Sequence, residues 1–191
     1  MTDESLSYQI KVTLSGIKPP IWRRLVVPGS IPLKDLHNAL QLAFGWTDSH
    51  LHQFTARGMP LERSRRVRLD EILRTEGDVM TYEYDFGDSW EHRIVLEKIL
   101  GIASAADAPS CIEGARACPP EDCGGVWGYA ELLRIVSDPS HPECGRMLEW
   151  VGPDFDPERF DISGINSSLT RMKRRGLTTR SRATGRKRPA P

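Results

Sequence analysis

The chain lacks any long uncharged stretch. Its longest run without Asp, Glu, Lys or Arg is the 12 residues from Leu36 to Thr47, well short of the roughly 20 apolar residues that a membrane-spanning helix needs. The first residues, MTDES, are acidic and polar where a secretory signal is basic and then apolar, so we expect no such signal. We therefore expect a cytoplasmic protein without membrane contact, whose four cysteines are reduced.

Several catalytic motifs are absent as well. No serine or cysteine stands in a GxSxG elbow, and no glycine-rich phosphate loop or CxxC pair occurs, so neither a nucleophilic triad nor nucleotide hydrolysis is indicated. The chain has no internal repeat. Its 191 residues have an ordinary globular composition, because the apolar share, counted with glycine and without tyrosine, is about 45%. This length and composition predict one folded domain.

Acidic residues are missing from the C-terminal part of the chain. After Asp161 no Asp or Glu occurs while nine bases follow, so residues 1–164 carry 17 bases against 26 acids, a net charge of −9. We interpret the chain as a domain at 1–176 and a basic, disordered tail at 177–191. The bases expected to contact nucleic acid nonspecifically are Arg174, Arg175, Arg180, Arg182, Arg186, Lys187 and Arg188. The alternative is a solvated tail that binds nothing.

The apolar pattern predicts the elements of the domain. Apolar side chains alternate over residues 8–14, which indicates a strand, and the β-branched run at 21–27 indicates an antiparallel neighbour. Helical spacing over 33–44, with a glycine stop, indicates a helix. Further strands are expected at HLHQF and in a later hairpin, and further helices at DEILRTEG, at WGYAELLRIV and near 143–150 and 165–172. The prediction is an α+β fold with a mostly antiparallel sheet of about five strands.

The string YEYDFGDSWEH predicts a β-hairpin, because Gly87-Asp88 lies between two alternating runs. A three-residue loop at 87–89 places the tyrosines before it on the same face as Trp90 and His92, whereas a two-residue loop places them on the opposite face. Burial of large aromatic rings favours the three-residue loop. On that register His92 is a core residue, and Asp85 lies opposite Glu91 as a like-charged pair.

Six separate strings of this sequence carry a resemblance. They are IWRRLVVP, LHNALQLAFGW, HLHQF, YEYDFGDSWEH, CPPEDCGG with WGY, and FDPERFD. Together they resemble the plasmid pRiA4b Orf-3-like family over roughly residues 8–169. The resemblance implies a compact α+β domain that is carried by plasmids, mobile elements and bacterial chromosomes, with no established biochemical activity.

Some relatives in that family are labelled passenger proteins of insertion sequences or resolvases. Serine resolvase chemistry needs a nucleophilic serine near the end of the first strand, with arginines nearby to hold the phosphate. Ser15 with Arg23 and Arg24 matches that pattern only weakly. The residues of this chain therefore do not support the resolvase label.

Two histidines form the first candidate metal site. His50 and His52 lie two residues apart in a predicted strand, so their side chains project from one face at about 6 to 7 Å, close enough to share a metal ion. Phe54 lies on the same face, and histidines beside an aromatic ring are also common as hydrogen-bonded packing residues. Both interpretations stay open at this point.

A second candidate metal site lies in the segment 101–126, which has no periodicity and which we predict to be a long loop. It contains Cys111, Cys118 and Cys123, and these reduced thiols with one histidine or Cys144 would complete a tetrahedral zinc site. The alternative is that the thiols fill apolar space. Within the same segment, PPEDCGG presents an acidic pair at a fixed position, where it would cap the next helix or bind a cationic partner.

These observations predict a non-enzymatic binding or accessory module associated with plasmids and mobile DNA, with an unidentified protein or nucleic-acid partner. The predicted contact surface is acidic and lined with aromatic residues near the DFGDSW and PPEDCGG loops. Its candidate residues are His50, His52, Asp85, Asp88, Glu91, Glu121 and Asp122. The alternative prediction is a metal-dependent hydrolase or nuclease that uses the two histidines and the carboxylates of those loops.

Truncation after Gly176 tests the tail hypothesis. We expect the truncated chain to keep its melting temperature, because the removed residues contain little apolar surface to bury. We also expect it to lose most nonspecific affinity for nucleic acid, because the charges that neutralise phosphates are gone. Thermal melts and retention on immobilised DNA at low salt measure the two effects. If the full chain itself is not retained at low salt, the nucleic-acid hypothesis is wrong.

Overall fold

The computed structural model describes residues 6–61, 67–101 and 108–183, with side chains up to Met172. The strands are β1 (Ser7–Leu14), β2 (Trp22–Pro28), β3 (His52–Ala56), β4 (Met59–Pro60), β5 (Val79–Tyr84), β6 (Trp90–Leu100) and β7 (Ser110–Ala115). The helices are α1 (Leu33–Phe44), α2 (Leu69–Ile72), α3 (Gly125–Val136), α4 (Cys144–Val151) and α5 (Ile162–Ala183). None of the helices in these ranges is long and apolar enough to span a membrane.

The seven strands form one sheet in the order β4-β3-β5-β6-β1-β2-β7, and all neighbouring strands are antiparallel. The α+β class and the antiparallel sheet are confirmed, but the predicted number of about five strands is wrong. One additional strand, β4, has only two residues. The other, β7, lies inside the segment predicted to be a loop. Only Cys111 of β7 is buried, so this edge strand pairs through its backbone and has no apolar alternation to reveal it.

One face of the sheet carries the core. The even-numbered residues of β1, from Tyr8 to Leu14, are buried, and the odd-numbered ones are partly exposed apart from Ser7. Strand β6 follows the same rule, with Trp90, His92 and Ile94 fully buried. Helix α1 packs on this face through a stripe that includes Leu36 and Leu40. An antiparallel sheet with one covered face produces this alternation.

The hairpin between β5 and β6 has the predicted facing but a longer loop. Tyr84 pairs with Trp90, so the loop comprises the five residues 85–89. Loops of three and five residues place the same side chains on the core face, and burial therefore could not distinguish them. His92 is a core residue as predicted. The predicted pairing of Asp85 with Glu91 is wrong, because Glu83 lies opposite Glu91.

The C-terminal helix extends past the predicted domain boundary. Helix α5 continues to Ala183, so the boundary proposed at Gly176 falls within a helix. Residues 184–191 lie outside the described part of the chain, and so do the side chains of the predicted nucleic-acid bases from Arg174 onward. Nucleic-acid contact by the tail stays a prediction.

A buried arginine joins the ends of three elements. Arg23 of β2 is 3% exposed. Its guanidinium donates hydrogen bonds to the carbonyl oxygens of Ala43 in α1 at 2.9 Å, Ala115 in β7 at 2.9 Å and Arg116 at 2.9 Å. Arg24 faces the open side of the sheet, where it forms an ion pair with Glu97 at 2.6 Å. Because the two arginines point to opposite faces, they do not form the phosphate-holding pair that resolvase chemistry needs.

Substitution of Arg23 tests the importance of this joint, the set of hydrogen bonds by which Arg23 connects β2, α1 and β7. We expect Arg23→Leu to lower the free energy of unfolding by about 3 kcal/mol or more, because a buried carbonyl left without a donor costs roughly 1 to 3 kcal/mol. Arg24→Leu is the matched control on the open face, where a loss of about 1 kcal/mol or less is expected. Urea unfolding of both variants measures the difference. Equal losses would contradict the role assigned to Arg23.

Candidate functional site

Three loops meet at one end of the sheet. The loop after α1 joins the hairpin loop where the Asp85 amide donates to the carbonyl oxygen of Leu51 at 2.9 Å. The hairpin loop joins the loop before α3 where the Gly124 amide donates to Asp88 Oδ2 at 3.2 Å. We call the surface formed by residues 47–51, 85–89 and 119–127 the three-loop face.

Gly125 permits the close contact between the hairpin and α3. A Cβ atom at this position would lie 2.5 Å from the carbonyl oxygen of Asp88, and the φ angle of Gly125 is +68°. Any other residue would therefore clash with the hairpin and adopt a strained backbone conformation. The two glycines of PPEDCGG thus allow the hairpin loop to sit against the start of α3.

Glu121 holds the three-loop face together. Its Oε1 accepts a hydrogen bond from the Tyr84 hydroxyl at 2.5 Å, and its Oε2 accepts one from the Thr47 hydroxyl at 2.6 Å. The Tyr84 hydroxyl also accepts a hydrogen bond from the Ser49 amide at 3.0 Å. Glu121 therefore connects β5, the loop after α1 and the loop before α3. No side chain caps α3, whose N-cap residue is Gly124, so the predicted capping role is wrong.

The protonation states of Glu121 and Tyr84, which form the junction of the three loops, follow from their burial and hydrogen bonds. Partial burial raises the pKa of the Glu121 carboxyl, but hydrogen bonds from Thr47 and Tyr84 outweigh it, and the net pKa lies below the ordinary value. Burial, followed by the hydrogen bond to Glu121, raises the pKa of the Tyr84 hydroxyl. At neutral pH the carboxylate is ionised and the phenol keeps its proton, which produces a charge-assisted hydrogen bond.

His50 lies between two aspartates of the three-loop face. Its Nδ1 is 3.7 Å from Asp85 Oδ2, and its Nε2 is 3.3 Å from Asp122 Oδ1. One ligand atom from each of the three residues lies within 4.8 Å of the others. Asp85 and Asp122 have φ angles of +58° and +59°, a left-handed conformation that aspartate adopts more readily than most residues. This group combines three of the predicted site residues.

His52 belongs to a different group. Its ring stacks on that of His37 in α1, with the centroids 3.5 Å apart, and both histidines are grouped with Asp48 within 4.8 Å. The expectation that His50 and His52 share one face of a strand is wrong, because β3 begins only at His52. His50 lies in the preceding loop, where the period of two does not apply.

Sequence reasoning missed His37 and Asp48. His37 is 3% exposed, its Nδ1 lies 2.8 Å from the Tyr82 hydroxyl, and its Nε2 lies 2.9 Å from Asp48 Oδ1. Gln41, one turn further along α1, donates to the same Tyr82 hydroxyl at 2.9 Å. Two polar residues four positions apart on the buried stripe of an amphipathic helix were the available signal.

The cysteines do not assemble into one group. Cys111 lies in β7, and Cys118 and Cys123 lie in the loop before α3. Burial raises the pKa of each of these thiols, to about 11 for Cys111 and about 12 for Cys123. Within the described ranges, the candidate metal-ligand groups contain histidine and aspartate but no cysteine. The alternative interpretation, in which neutral thiols fill apolar space, fits this placement.

Large apolar side chains are exposed on the same loops that carry the acidic residues of the three-loop face. Trp127 in the first turn of α3 is 87% exposed, Leu51 is 73% exposed and Phe86 at the hairpin tip is 50% exposed. Large exposed rings on loops that contact one another indicate an interaction surface. Glu91, a predicted member of the site, lies on the opposite side of β6 from Trp90 and accepts a hydrogen bond from the Ser15 hydroxyl at 3.3 Å.

Replacement of Glu121 tests the junction through its pH dependence. A carboxyl whose pKa is lowered in the folded state contributes stability above its unfolded pKa and loses it as pH falls through the folded pKa. We therefore expect Glu121→Gln to lower the melting temperature at pH 7 and the difference from wild type to shrink below about pH 4. Calorimetry from neutral to acidic pH measures it, with Asp35→Asn in the first turn of α1 as control. A difference independent of pH would contradict the assigned role.

Comparison with known proteins gives a consistent result. Residues 6–164 match the family described as plasmid pRiA4b ORF-3-like protein. The uncharacterized protein y4hQ of Sinorhizobium fredii is 40% identical over 174 residues, which cover 84% of this chain and 89% of the relative. The crystal structure of MM3350, a protein of unknown function from Methanosarcina mazei Go1, is similar with a TM-score of 0.76 and 39% identity, over 83% of this chain and 96% of that one. The chain belongs to the plasmid pRiA4b ORF-3-like protein family.

Proposed function

We propose that this chain is a non-enzymatic binding module whose three-loop face binds a cationic segment of a partner protein. The observation that carries the proposal is that exposed aromatic rings, Trp127 and Phe86, and the carboxylates of Asp88 and Asp122 occur on the same set of connected loops. The family description refers to a plasmid, and on that basis we assign the module an accessory role in plasmids or mobile DNA.

Arginine and lysine side chains fit this combination of groups. A guanidinium or ammonium group is attracted to the face of an aromatic ring, most strongly to tryptophan. Carboxylates supply the acceptors that its N–H groups need. The Asp122 side chain is 73% exposed and Trp127 is 87% exposed, so both groups are accessible to a partner.

Hydrogen bonds order the loops of the three-loop face, and this order favours binding. The Trp46 indole donates to the carbonyl oxygen of Pro119 at 3.1 Å, and Glu121 accepts hydrogen bonds from Thr47 and Tyr84. A surface that is already ordered loses less conformational entropy when a partner binds. The tethered loops therefore favour affinity for a segment of fixed shape.

The charge distribution supports a cationic partner. Residues 1–164 carry a net charge of −9, and the field of an acidic body raises the rate at which a cation approaches it. A binding process of this kind weakens with added salt. The acidic body also disfavours a nucleic acid at this face, because the phosphates of the backbone would be repelled.

Calorimetric titration with a synthetic peptide of alternating arginine and glycine tests the proposal. We expect Trp127→Ser and Asp122→Asn each to weaken binding about 2- to 5-fold, the effect of one exposed cation–π contact or surface ion pair. The double variant should weaken binding about tenfold, and all affinities should fall with salt.

The control for this titration is Asp35→Asn, which removes one carboxylate from the first turn of α1, the end of that helix away from the three-loop face. It should bind the peptide as the wild type does. No binding by the wild type at low salt, or an equal loss in the control, would show that the face is not a cation-binding surface.

A metal-dependent hydrolase is the second candidate function, favoured by the group of His50, Asp85 and Asp122. One imidazole and two carboxylates suit a divalent ion that activates water. Hydrolysis of a phosphodiester reporter with Mn²⁺ or Zn²⁺ separates the candidates. Turnover that is lost in His50→Ala would support the hydrolase, and no turnover with either ion would leave the binding module as the function.

A further inference from the structure

The group formed by His37, Asp48 and His52 has a defined architecture. His37 is fixed inside α1 and is 3% exposed, while the Asp48 side chain is 53% exposed. His52 is the first residue of β3 and is half-buried. Ligand atoms of the three residues lie within 4.8 Å of one another.

The end of α1 explains why these residues meet. Gly45 ends the helix in a left-handed conformation with φ +87°, which turns the chain back along the helix. Asp48 is also left-handed, with φ +60°, and its amide donates to Gln41 Oε1 at 3.0 Å. The carboxylate is thereby placed 2.9 Å from His37 Nε2.

Burial disfavours a positive charge on both imidazoles. Burial lowers the pKa of His37 and of His52, the latter to about 4, with the neighbouring histidine as a further cause for His52. Neutral rings with a free lone pair are the ligands that transition metals need.

We propose that His37, His52 and Asp48 bind a divalent transition-metal ion of the Zn²⁺ class. Two imidazole nitrogens and one carboxylate oxygen are a ligand set found for such ions, which leaves a position open to water. The site is separate from the three residues around His50 and does not depend on the proposed function of the three-loop face.

The surroundings of His37 match the outer shell of a metal-binding histidine. Such a residue coordinates through one ring nitrogen and donates the other N–H to a fixed acceptor. In the structure His37 Nε2 donates to Asp48 Oδ1 at 2.9 Å, so coordination through Nε2 would move that proton to Nδ1, which lies 2.8 Å from the Tyr82 hydroxyl. Gln41 donates to that hydroxyl at 2.9 Å and so holds it in place.

A cleft lies beside one ligand of the proposed site. It has a volume of about 330 Å³, lies between α1 and α5 and is lined by Gln41, Thr47, Asp48 and Arg171. The Asp48 side chain, which is 53% exposed, is therefore accessible to an ion from solvent.

One ring must turn for both histidines to coordinate. A metal ion lies in the plane of its imidazole ligand, but the two rings are stacked with an angle of only 11° between their planes. His37 is held at both nitrogens. In the described part of the chain the His52 ring makes aromatic contacts with Phe54 and Tyr82 and no hydrogen bond. His52 is the ring expected to turn.

Titration of the chelator-stripped full chain with Zn²⁺, followed by calorimetry, tests the site. We expect one ion per chain, and a visible absorption band when Co²⁺ is used in its place. His52→Asn and Asp48→Asn should each weaken binding at least tenfold. Tyr82→Phe should weaken it about 10- to 100-fold, the usual effect of an outer-shell substitution.

Asp48→Asn protects the test against misfolding, because asparagine tolerates the left-handed conformation and the side chain is exposed. The matched control is His141→Asn in the loop between α3 and α4, outside both candidate metal groups, which should bind Zn²⁺ as the wild type does. No Zn²⁺ binding by the wild type would overturn the proposal. Loss in His50→Asn with retention in His52→Asn would also overturn it, because the ion would then lie between Asp85 and Asp122. If Zn²⁺ binding were lost only after alkylation of the cysteine thiols, the ion would lie at the cysteines and the proposal would be wrong.

Discussion

The guanidinium of Arg23 is the contact on which the arrangement of this domain depends. A charged group inside a protein is tolerated only when its donors are satisfied, and Arg23 satisfies them with backbone carbonyls of its own strand, of α1 and of the end of β7. The same contact fixes where the chain leaves α1 and where it leaves β7. The loops that follow these two elements therefore start from fixed points and reach the same end of the sheet.

Strand β5 positions the polar residues near those loops through two tyrosine side chains. Tyr82 and Tyr84 project from the same face of the strand, and their hydroxyls reach two different groups of polar residues. Tyr82 contacts His37 and Gln41 in α1, whereas Tyr84 contacts Glu121 in the loop before α3. Two buried phenols at a spacing of two residues thus separate an inner cluster of histidines from an outer, acidic face. The two clusters contain different polar residues because the two tyrosine hydroxyls form hydrogen bonds with different partners.

The parts of the fold that could be predicted are those in which burial leaves a pattern in the sequence. The alternation from Tyr8 to Leu14 and the facing of Trp90 and His92 follow from side chains that avoid water, and both agree with the structure. Strand β7 left no such pattern, because an edge strand with one buried cysteine is held mainly by backbone hydrogen bonds. The predicted hairpin loop was two residues too short. Loops of three and five residues leave the same side chains buried, so burial does not reveal the loop length.

The residue types of the candidate site could be predicted from the sequence, but not which of these residues lie together. The acidic loops around Asp85 and Asp122 do meet, and His50 joins them. His52 was assigned to the wrong group because its partner, His37, lies in a helix that is close only after folding. Contacts between residues distant in sequence depend on the joint at Arg23 and on the turn after Gly45. The joint at Arg23 has no local sequence signature, and the glycine that marks the end of α1 does not reveal which residues the following turn contacts.

An NMR map of the bound peptide tests whether the three-loop face binds cations. Amide chemical shifts of the isotope-labelled chain would be followed during titration with the arginine-glycine peptide. We expect the shifted amides to cluster in residues 47–51, 85–89 and 119–127. Shifts confined to the open face of the sheet around Arg24 and Glu97, or no shifts at low salt, would contradict it.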